Sequence, residues 1–217
     1  MGTITRSLAN NITTNGVILP TGITNASVAD VTSFANAADP STLVLLSTQT
    51  ASSSASISFT SGIDNTYDEY VFKFINIHPA SDGVDFQFNL STDGGSNYNV
   101  TKTSTAFNAY NYENDAESGL VYRTADDLAQ STSFQNILPA LGNQSDENGC
   151  GKLILFNPSS TTYVKHFITT TSQHGNSDYA RNGFYAGYGN TTSAVNAIQF
   201  KMSSGNFDGT IYMYGIK

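Results

Sequence analysis

The chain has a single cysteine, no tryptophan and few charged side chains. Charged residues make up 12% of its 217 residues, about half of the share that is usual in soluble domains. The lone thiol of Cys150 cannot form an intrachain disulfide, so stability must come from packing or from assembly. No stretch approaches the roughly 20 apolar residues of a membrane-spanning helix, and residues 1–16 lack the apolar core of a secretory signal.

Positive charge is also scarce. Nine Lys and Arg residues stand against 17 Asp and Glu residues, which gives a formal net charge of −8. An acidic chain gains no affinity by neutralising phosphates, so nucleic acid is an unfavourable partner. No basic run is present that would bind an anionic membrane. We therefore expect neither nucleic-acid binding nor membrane insertion.

The polar positions are filled mainly by Thr, Ser, Asn and Gly, which favour turns and strand edges over helix interiors. Hydrophobic residues make up 39% of the chain and aromatic residues 12%, which is enough apolar surface for a core. Short polar side chains lose little entropy when they are ordered, and this suits a packed assembly. The composition favours a folded, strand-rich protein that works by packing and surface contact.

Alternation of apolar and polar residues dominates the chain beyond residue 43. The clearest example is the run 84–90, in which four apolar residues are separated by Asp85, Gln87 and Asn89. Such a period of two predicts a strand with one buried face and one face in water. Residues 43–46 are apolar throughout, and they predict a buried strand.

Turn signals separate these strands at short intervals. Asp93-Gly94-Gly95 predicts a turn, and the runs 152–156 and 163–171 predict a hairpin. Asp126-Asp127 could begin a single helical turn. About ten strands at a spacing of roughly 8–12 residues favour an all-β fold, a jelly-roll-like antiparallel β-sandwich, over a βαβ fold.

Residues 1–40 differ from the rest of the chain. They contain few aromatic residues, and their apolar residues follow no sustained period. Asp39-Pro40 ends the segment. We expect an extended N-terminal attachment and assembly arm over 1–40, ordered by a partner, and a β-sandwich domain over 41–217. Early strands of the main domain are the alternative interpretation of 1–40.

No catalytic or metal-binding signature is present. The serine-hydrolase motif G-x-S-x-G and the calcium-loop motif are absent, and the spacing of His166 and His174 matches no closed zinc pattern. His166 is expected to be partly buried in a strand, His174 to lie exposed in a loop, and His78 to be a turn residue. Acid clusters such as 113–117 are typical of solvated loops, although a glycosidase pair forms only in space. We predict no catalytic residue, cofactor or metal, and no enzymatic activity.

Five strings of strand and turn residues carry a family resemblance. They are LLSTQTASSSASISFTSGI (45–63), YDEYVFKFINIHP (67–79), FNLSTDGGSNYN (88–99), LILFNPSSTTYVKHF (153–167) and NAIQFKMSSGNFDGTIYMYGI (196–216). They resemble a β-rich domain in structural and tail-fibre proteins of marine bacteriophages, including phages of cyanobacteria. The opening, TITRSLANNITTNGVILP, is similar to the start of such tail proteins. The resemblance implies a homotrimeric virion component that is assembled in the cytoplasm of a bacterial host and exposed on the particle surface.

The main hypothesis is a tail-fibre or spike-type protein that docks on other virion proteins through residues 1–40 and presents its β domain to a host glycan or protein. A capsid decoration protein, of the cement or head-fibre kind, is the first alternative. A carbohydrate-binding module is the second, against which the absence of Trp counts. A polysaccharide depolymerase is the third.

Two loops are the candidate contact surfaces. One contains Tyr110, Tyr112 and Glu113, and the other contains His174 and Tyr179. Tyrosine and short polar side chains provide contact area at a low cost in conformational entropy, which favours a contact role. Ordinary exposed loops are the alternative interpretation.

Overall fold

The computed structural model describes residues 43–216 and two short strands that precede them. Those strands, β1 (Ile12–Thr13) and β2 (Gly16–Val17), pair antiparallel with each other. The chain divides into two units, Met1–Pro40 and Ser41–Lys217. Apart from β1 and β2, the expected arm over 1–40 lies outside the described residues, so its role in attachment stays a prediction.

Residues 43–216 form twelve strands and no helix. No helix among the described residues has the length and hydropathy to cross a membrane. The strands are β3 (Val44–Ser54), β4 (Ser56–Phe59), β5 (Glu69–Pro79), β6 (Val84–Ser91), β7 (Lys102–Tyr112), β8 (Ser118–Tyr122), β9 (Gln135–Leu141), β10 (Gly149–Phe156), β11 (Lys165–Gly175), β12 (Tyr179–Gly189), β13 (Ala197–Met202) and β14 (Phe207–Ile216).

Every pairing between these strands is antiparallel. A long layer has the order β3-β14-β5-β10-β11-β12-β7-β8, and a shorter layer has the order β4-β13-β6-β9. The layers join where Gly175 of β11 pairs with Leu141 of β9. The predicted all-β antiparallel sandwich is confirmed, and so is the hairpin of β10 and β11.

Phenylalanine rings fill the space between the two layers. The ring of Phe200, in β13, lies with its centroid 5.6–6.4 Å from those of five others. These are Phe59, Phe72, Phe74, Phe86 and Phe88, all of them buried. The alternation that was predicted for 84–90 places Phe86, Phe88 and Leu90 in this core, at 0% exposure. Burial of such rings supplies the main favourable term in folding.

Two expectations about burial are wrong. The apolar run 43–46 is not buried, because β3 is an edge strand that pairs with β14, and Leu45 is 54% exposed. The polar face of β6 is not wholly in water, since Asn89 is 0% exposed. Its amide Nδ2 donates to the carbonyl oxygens of Tyr98, at 2.7 Å, and Thr132, at 2.9 Å. Loop segments therefore cover this face of β6.

Asp126 and Asp127 lie in a hydrogen-bonded turn and not in a helix. The backbone N–H of Asp127 donates to the carbonyl oxygen of Arg123, at 3.2 Å. The carboxylate of Asp126 does not cap a helix; it accepts a hydrogen bond from Arg123 Nε at 3.1 Å. The turn closes one side of the region between β7 and β9.

A lysine is buried inside the sandwich next to Asn89. Lys102, the first residue of β7, is 0% exposed. Its Nζ donates to Asn89 Oδ1 and, at 3.0 Å, to the carbonyl oxygen of Val100. Burial lowers the pKa of Lys102 from 10.5 to about 7, because the charged form loses its hydration.

Candidate functional site

β7 and β12 pair along their whole length and bring aromatic and polar side chains to one end of the long layer. Their register places Tyr112 opposite Tyr179 and Tyr110 opposite Arg181. Side chains alternate between the two faces of a strand, so Asn108, Tyr110 and Tyr112 share one face of β7. The buried Ala106 lies on the same face, which is therefore the inner face of the layer.

A cavity of about 420 Å³ opens on this inner face. Its volume lies within the range of small-molecule sites in proteins. It is lined by Asn108, Tyr110, Tyr112, Glu117, Val121, Tyr122, Arg123, Tyr179 and Arg181. We call this space the tyrosine cavity.

The tyrosine rings are held in fixed mutual orientations. The rings of Tyr110 and Tyr112 meet edge to face with centroids 6.1 Å apart, and those of Tyr112 and Tyr179 lie 5.3 Å apart. The guanidinium of Arg181 lies 4.8 Å from the centroid of the Tyr179 ring, a cation–π contact. The cavity wall is therefore a preformed aromatic surface that loses little entropy on binding a ligand.

The side-chain amide of Asn108 is buried beside the cavity without a hydrogen-bond partner among the described residues. It is 1% exposed, and neither its Oδ1 nor its Nδ2 has a hydrogen-bond partner among the described residues. A buried polar group without a partner costs about 1–3 kcal/mol. A ligand that both donates to and accepts from this amide would recover that cost.

Charged groups at the cavity are partly engaged with their neighbours. The hydroxyl of Tyr110 donates to Glu117 Oε1 at 2.6 Å, and this hydrogen bond raises the pKa of Tyr110. Arg181 Nη1 donates to the carbonyl oxygen of Pro139 at 2.7 Å, while its buried Nε has no partner among the described residues. Arg123 holds Asp126. The lining thus offers two guanidinium groups and one carboxylate.

The structure brings the five predicted contact residues to the same end of the sandwich. Tyr110, Tyr112 and Tyr179 line the tyrosine cavity. Glu113 and His174 line a second opening of about 610 Å³, which Tyr112 also borders. The two predicted loops are mostly strand ends: Glu113 lies in a turn, but the other four residues lie within β7, β11 and β12.

All three histidines differ from the expectations. His166, expected to be partly buried, is exposed on the outer face of β11. His174, expected to be exposed in a loop, lies within β11 with 26% of its side chain exposed. His78, expected in a turn, lies within β5, and its Nδ1 is 2.6 Å from the carbonyl oxygen of Glu147.

His174 lies among carboxylates. Its Nε2 is 3.5 Å from Glu113 Oε1 and 3.9 Å from Asp178 Oδ1. Glu147, which is 1% exposed, belongs to the same group. The sequence did not point to Glu147, since an acid within a polar loop carries no signal of burial.

Sequence reasoning also missed Asn108 and Arg181. Both follow from the alternation around the predicted tyrosines, because Asn108 precedes Tyr110 by two residues and Arg181 follows Tyr179 by two. A strand assignment for 102–112 would have placed Asn108 on the same face as Tyr110. The available signal was therefore the residue two positions away from each predicted tyrosine, which lies on the same face of the strand.

Comparison with known proteins found no match to this chain. No family model matches the chain, and neither a curated protein nor a solved structure matches it.

Proposed function

We propose that this protein is a virion structural protein, a tail-fibre or spike-type component of a bacteriophage. Residues 1–40 dock it on other virion proteins, and the β-sandwich is presented for contact with the host surface. The proposal rests on the resemblance of the five sequence strings, the all-β antiparallel sandwich and the low content of charged residues. Capsid decoration is the alternative position on the particle.

The observation that carries the contact role is the convergence at the end of β7 and β12. Three tyrosines that the sequence singled out line one cavity with the buried, unpartnered amide of Asn108. They belong to paired strands, so the surface is rigid before any ligand arrives. Rigid aromatic side chains beside adaptable polar groups are typical of protein recognition surfaces.

A saccharide is the ligand class that fits this lining best. Tyrosine rings stack on the apolar faces of sugars, and an amide exchanges hydrogen bonds with vicinal hydroxyls. The guanidinium groups of Arg123 and Arg181 favour a sugar that carries a carboxylate or sulfate. Host-surface glycans supply such groups, so we propose glycan contact as the way in which this end of the sandwich engages the host.

The proposal assigns no catalytic role. Glycoside hydrolysis needs two carboxyl groups on either side of the bond that is cleaved. Glu117 is the one carboxylate among the described residues that line the tyrosine cavity, and it is already hydrogen-bonded to Tyr110. A polysaccharide depolymerase is therefore the less favoured alternative.

The outer face of the long layer supports the expected homotrimer. Phe107 and Phe184 stack there with centroids 5.0 Å apart, and Phe107 is 43% exposed. Ile168 is 47% exposed, and Leu120, in the edge strand β8, is 72% exposed. Exposed apolar surface of this kind marks contact sites, and we propose further copies of the chain as its occupants. Multi-angle light scattering of the purified chain should give the mass of a trimer, which Leu120→Lys with Ile168→Lys should reduce.

A glycan array, followed by calorimetry on the hits, tests the contact role. Wild-type protein should bind acidic oligosaccharides, and Asn108→Ala or Tyr112→Ala should each weaken binding about tenfold, the value of one good contact. Tyr163→Ala is the matched control, since Tyr163 is 71% exposed and lies outside the cavity. Absence of any hit at millimolar sensitivity, or equal affinity in all variants, would refute glycan contact in this cavity.

Deletion of residues 1–40 tests the docking role. The truncated chain should remain folded, because residues 43–216 contain a large hydrophobic core and form a compact unit that is separate from Met1–Pro40. It should fail to join particles. Normal incorporation of the truncated chain would contradict the role of the arm while leaving glycan binding untouched.

A further inference from the structure

A second group of polar side chains lies beside the tyrosine cavity, outside its lining. Glu147, His174 and Asp178 each offer one ligand atom, and the three atoms lie within 4.8 Å of one another. Glu113 adds a fourth atom, since its Oε1 is 3.5 Å from His174 Nε2. Three carboxylates therefore surround one imidazole.

This cluster differs from exposed acidic groups because it contains a buried carboxylate oxygen without a hydrogen-bond partner among the described residues. Glu147 is 1% exposed, and its Oε1 has no hydrogen-bond partner among residues 43–216. The other oxygen, Oε2, accepts a hydrogen bond from the backbone N–H of Gln144 at 2.6 Å. His174 Nε2 is likewise buried without a hydrogen-bond partner. Buried carboxylates in proteins are paired with a cation or coordinate a metal.

We propose that Glu147, His174 and Asp178, with Glu113, bind a divalent transition-metal cation such as Zn²⁺ or Mn²⁺. The donor set of one imidazole and several carboxylates suits these ions, whereas Ca²⁺ and Mg²⁺ prefer sites made of oxygen alone. Metal–ligand bonds of about 2.0–2.2 Å bring neighbouring ligand atoms to roughly 3–3.5 Å. The separations of 3.5 and 3.9 Å from His174 Nε2, and those of up to 4.8 Å within the group that includes Glu147, must contract by up to about 1.5 Å.

The exposed ligands can supply this contraction. The side chains of Glu113 and Asp178 are 66% and 69% exposed, so both can change rotamer without disturbing the core. Glu147 and His174 are the fixed half of the site. The opening that Glu113 and His174 line gives an ion access from solvent.

The backbone around the cluster is built to hold these ligands. The N–H of His174 donates to the carbonyl oxygen of Asn148 at 3.0 Å, and the N–H of Glu113 donates to that of Asp178 at 2.9 Å. A Cβ at position 142 would overlap the carboxylate of Glu147, so Gly142 is required for its placement. Bonds of this kind preorganise ligands before an ion arrives.

An ion here would join three separate segments: the residues after β7, the end of β11 with the turn that follows it, and the loop that contains Glu147. Tyr112 borders both this opening and the tyrosine cavity. Metal binding would therefore stiffen the end of the sandwich that carries the proposed contact surface. The metal site itself does not depend on the proposed function.

Calorimetry on the full-length chain, stripped with EDTA and dialysed, tests the proposal. Zn²⁺ or Mn²⁺ should bind with one ion per chain and raise the midpoint of thermal unfolding by about 5–10 °C at a hundredfold excess over Kd. Mg²⁺ and Ca²⁺ should bind at least tenfold more weakly. Absence of binding by both transition metals would overturn the proposal.

Substitutions of the proposed ligands test whether the ion binds at this cluster. His174→Ala and Glu147→Gln should each weaken binding by about tenfold or more, and so should the exposed-ligand variant Asp178→Asn, which leaves the fold intact even if Glu147→Gln does not. His166→Ala and Asp146→Asn are matched controls, because both residues are exposed and neither belongs to the proposed ligand set. Wild-type affinity in Asp178→Asn and His174→Ala together would place the ion elsewhere and refute the site.

Discussion

Lys102 buries its side-chain amine beside Asn89, and this burial makes the stability of the protein depend on pH in a predictable direction. The residue is 0% exposed, and no carboxylate lies within 4.0 Å of it among the described residues. Its hydrogen bonds go to Asn89 and Val100, both of them uncharged. Desolvation therefore lowers the pKa of Lys102 from 10.5 to about 7 with no opposite charge to offset it.

The fall in the pKa of Lys102 sets the magnitude and the sign of the change in the free energy of unfolding with pH. A difference of about 3.5 pKa units corresponds to an upper limit of about 5 kcal/mol, at about 1.36 kcal/mol per unit. Between pH 7 and 10.5 the unfolded chain holds the proton and the folded chain does not, so the free energy of unfolding rises with pH. Below pH 7 both states are protonated and the full penalty of burying the charge applies.

The substitution Lys102→Met removes the titrating group and keeps most of the apolar stem. Relative to wild type, the variant should be most stable at pH 6, and its advantage should shrink by several kcal/mol as the pH approaches 9.5. Urea unfolding at half-unit intervals, followed by circular dichroism, measures this difference.

Lys152→Met is the matched control, since Lys152 is exposed on β10. Its stability difference from wild type should stay constant over the same range. A difference between Lys102→Met and wild type that is equally constant, within about 0.5 kcal/mol from pH 6 to 9.5, would refute the reasoning.

Three further substitutions test other parts of the structure. Phe200→Ala should lower the free energy of unfolding by about 3–5 kcal/mol, because its ring contacts five others in the core; a loss below about 1 kcal/mol in urea unfolding would contradict this packing. Tyr185→Phe should raise that free energy by about 1 kcal/mol, since the buried hydroxyl has no partner among the described residues, and a fall in the thermal midpoint would show that it has one. Hydrogen bonds from Asn97 and Ser91 lower the pKa of Asp93 to about 2, so the stability they confer is present above pH 4 and lost as the pH falls towards 2. Asp93→Asn should reduce this acid-side loss in an acid titration followed by circular dichroism, and an unchanged loss would exclude the turn as its source.

Local patterns were sufficient to predict the strands of the core. Phe86, Phe88 and Leu90 alternate with polar residues, and burial follows the alternation. The turn at Asp93 to Gly95 also follows from local chemistry, because Gly94 and Gly95 adopt the positive φ angles that glycine allows. Sequence therefore predicted both the class of fold and several turns.

The order of the strands explains why the burial of two regions was predicted wrongly. The apolar residues 43–46 read as buried, yet β3 lies at the edge of the long layer, where one side has no neighbouring strand among the described residues. Asn89 reads as exposed, yet segments distant in sequence cover it and bring Lys102 against its amide. Pairing between distant segments is not encoded in the period of a single strand.

One part of the candidate site could be predicted from sequence and the other part could not. Its tyrosines could be predicted from composition, because aromatic residues beside short polar ones favour contact. The cluster that is proposed to bind a metal could not be predicted, since Glu113, Glu147 and His174 come from three segments that only the folded chain brings together. Their spacing in sequence matches no metal motif.

The most direct test of a virion component is a cryo-electron microscopy map of purified particles that carry this protein. The account predicts density for the sandwich at the particle surface in a three-fold setting, with residues 1–40 against a neighbouring virion protein and the tyrosine cavity facing outward. A sandwich that lies inside the particle, or one whose tyrosine cavity is covered by the particle, would contradict it.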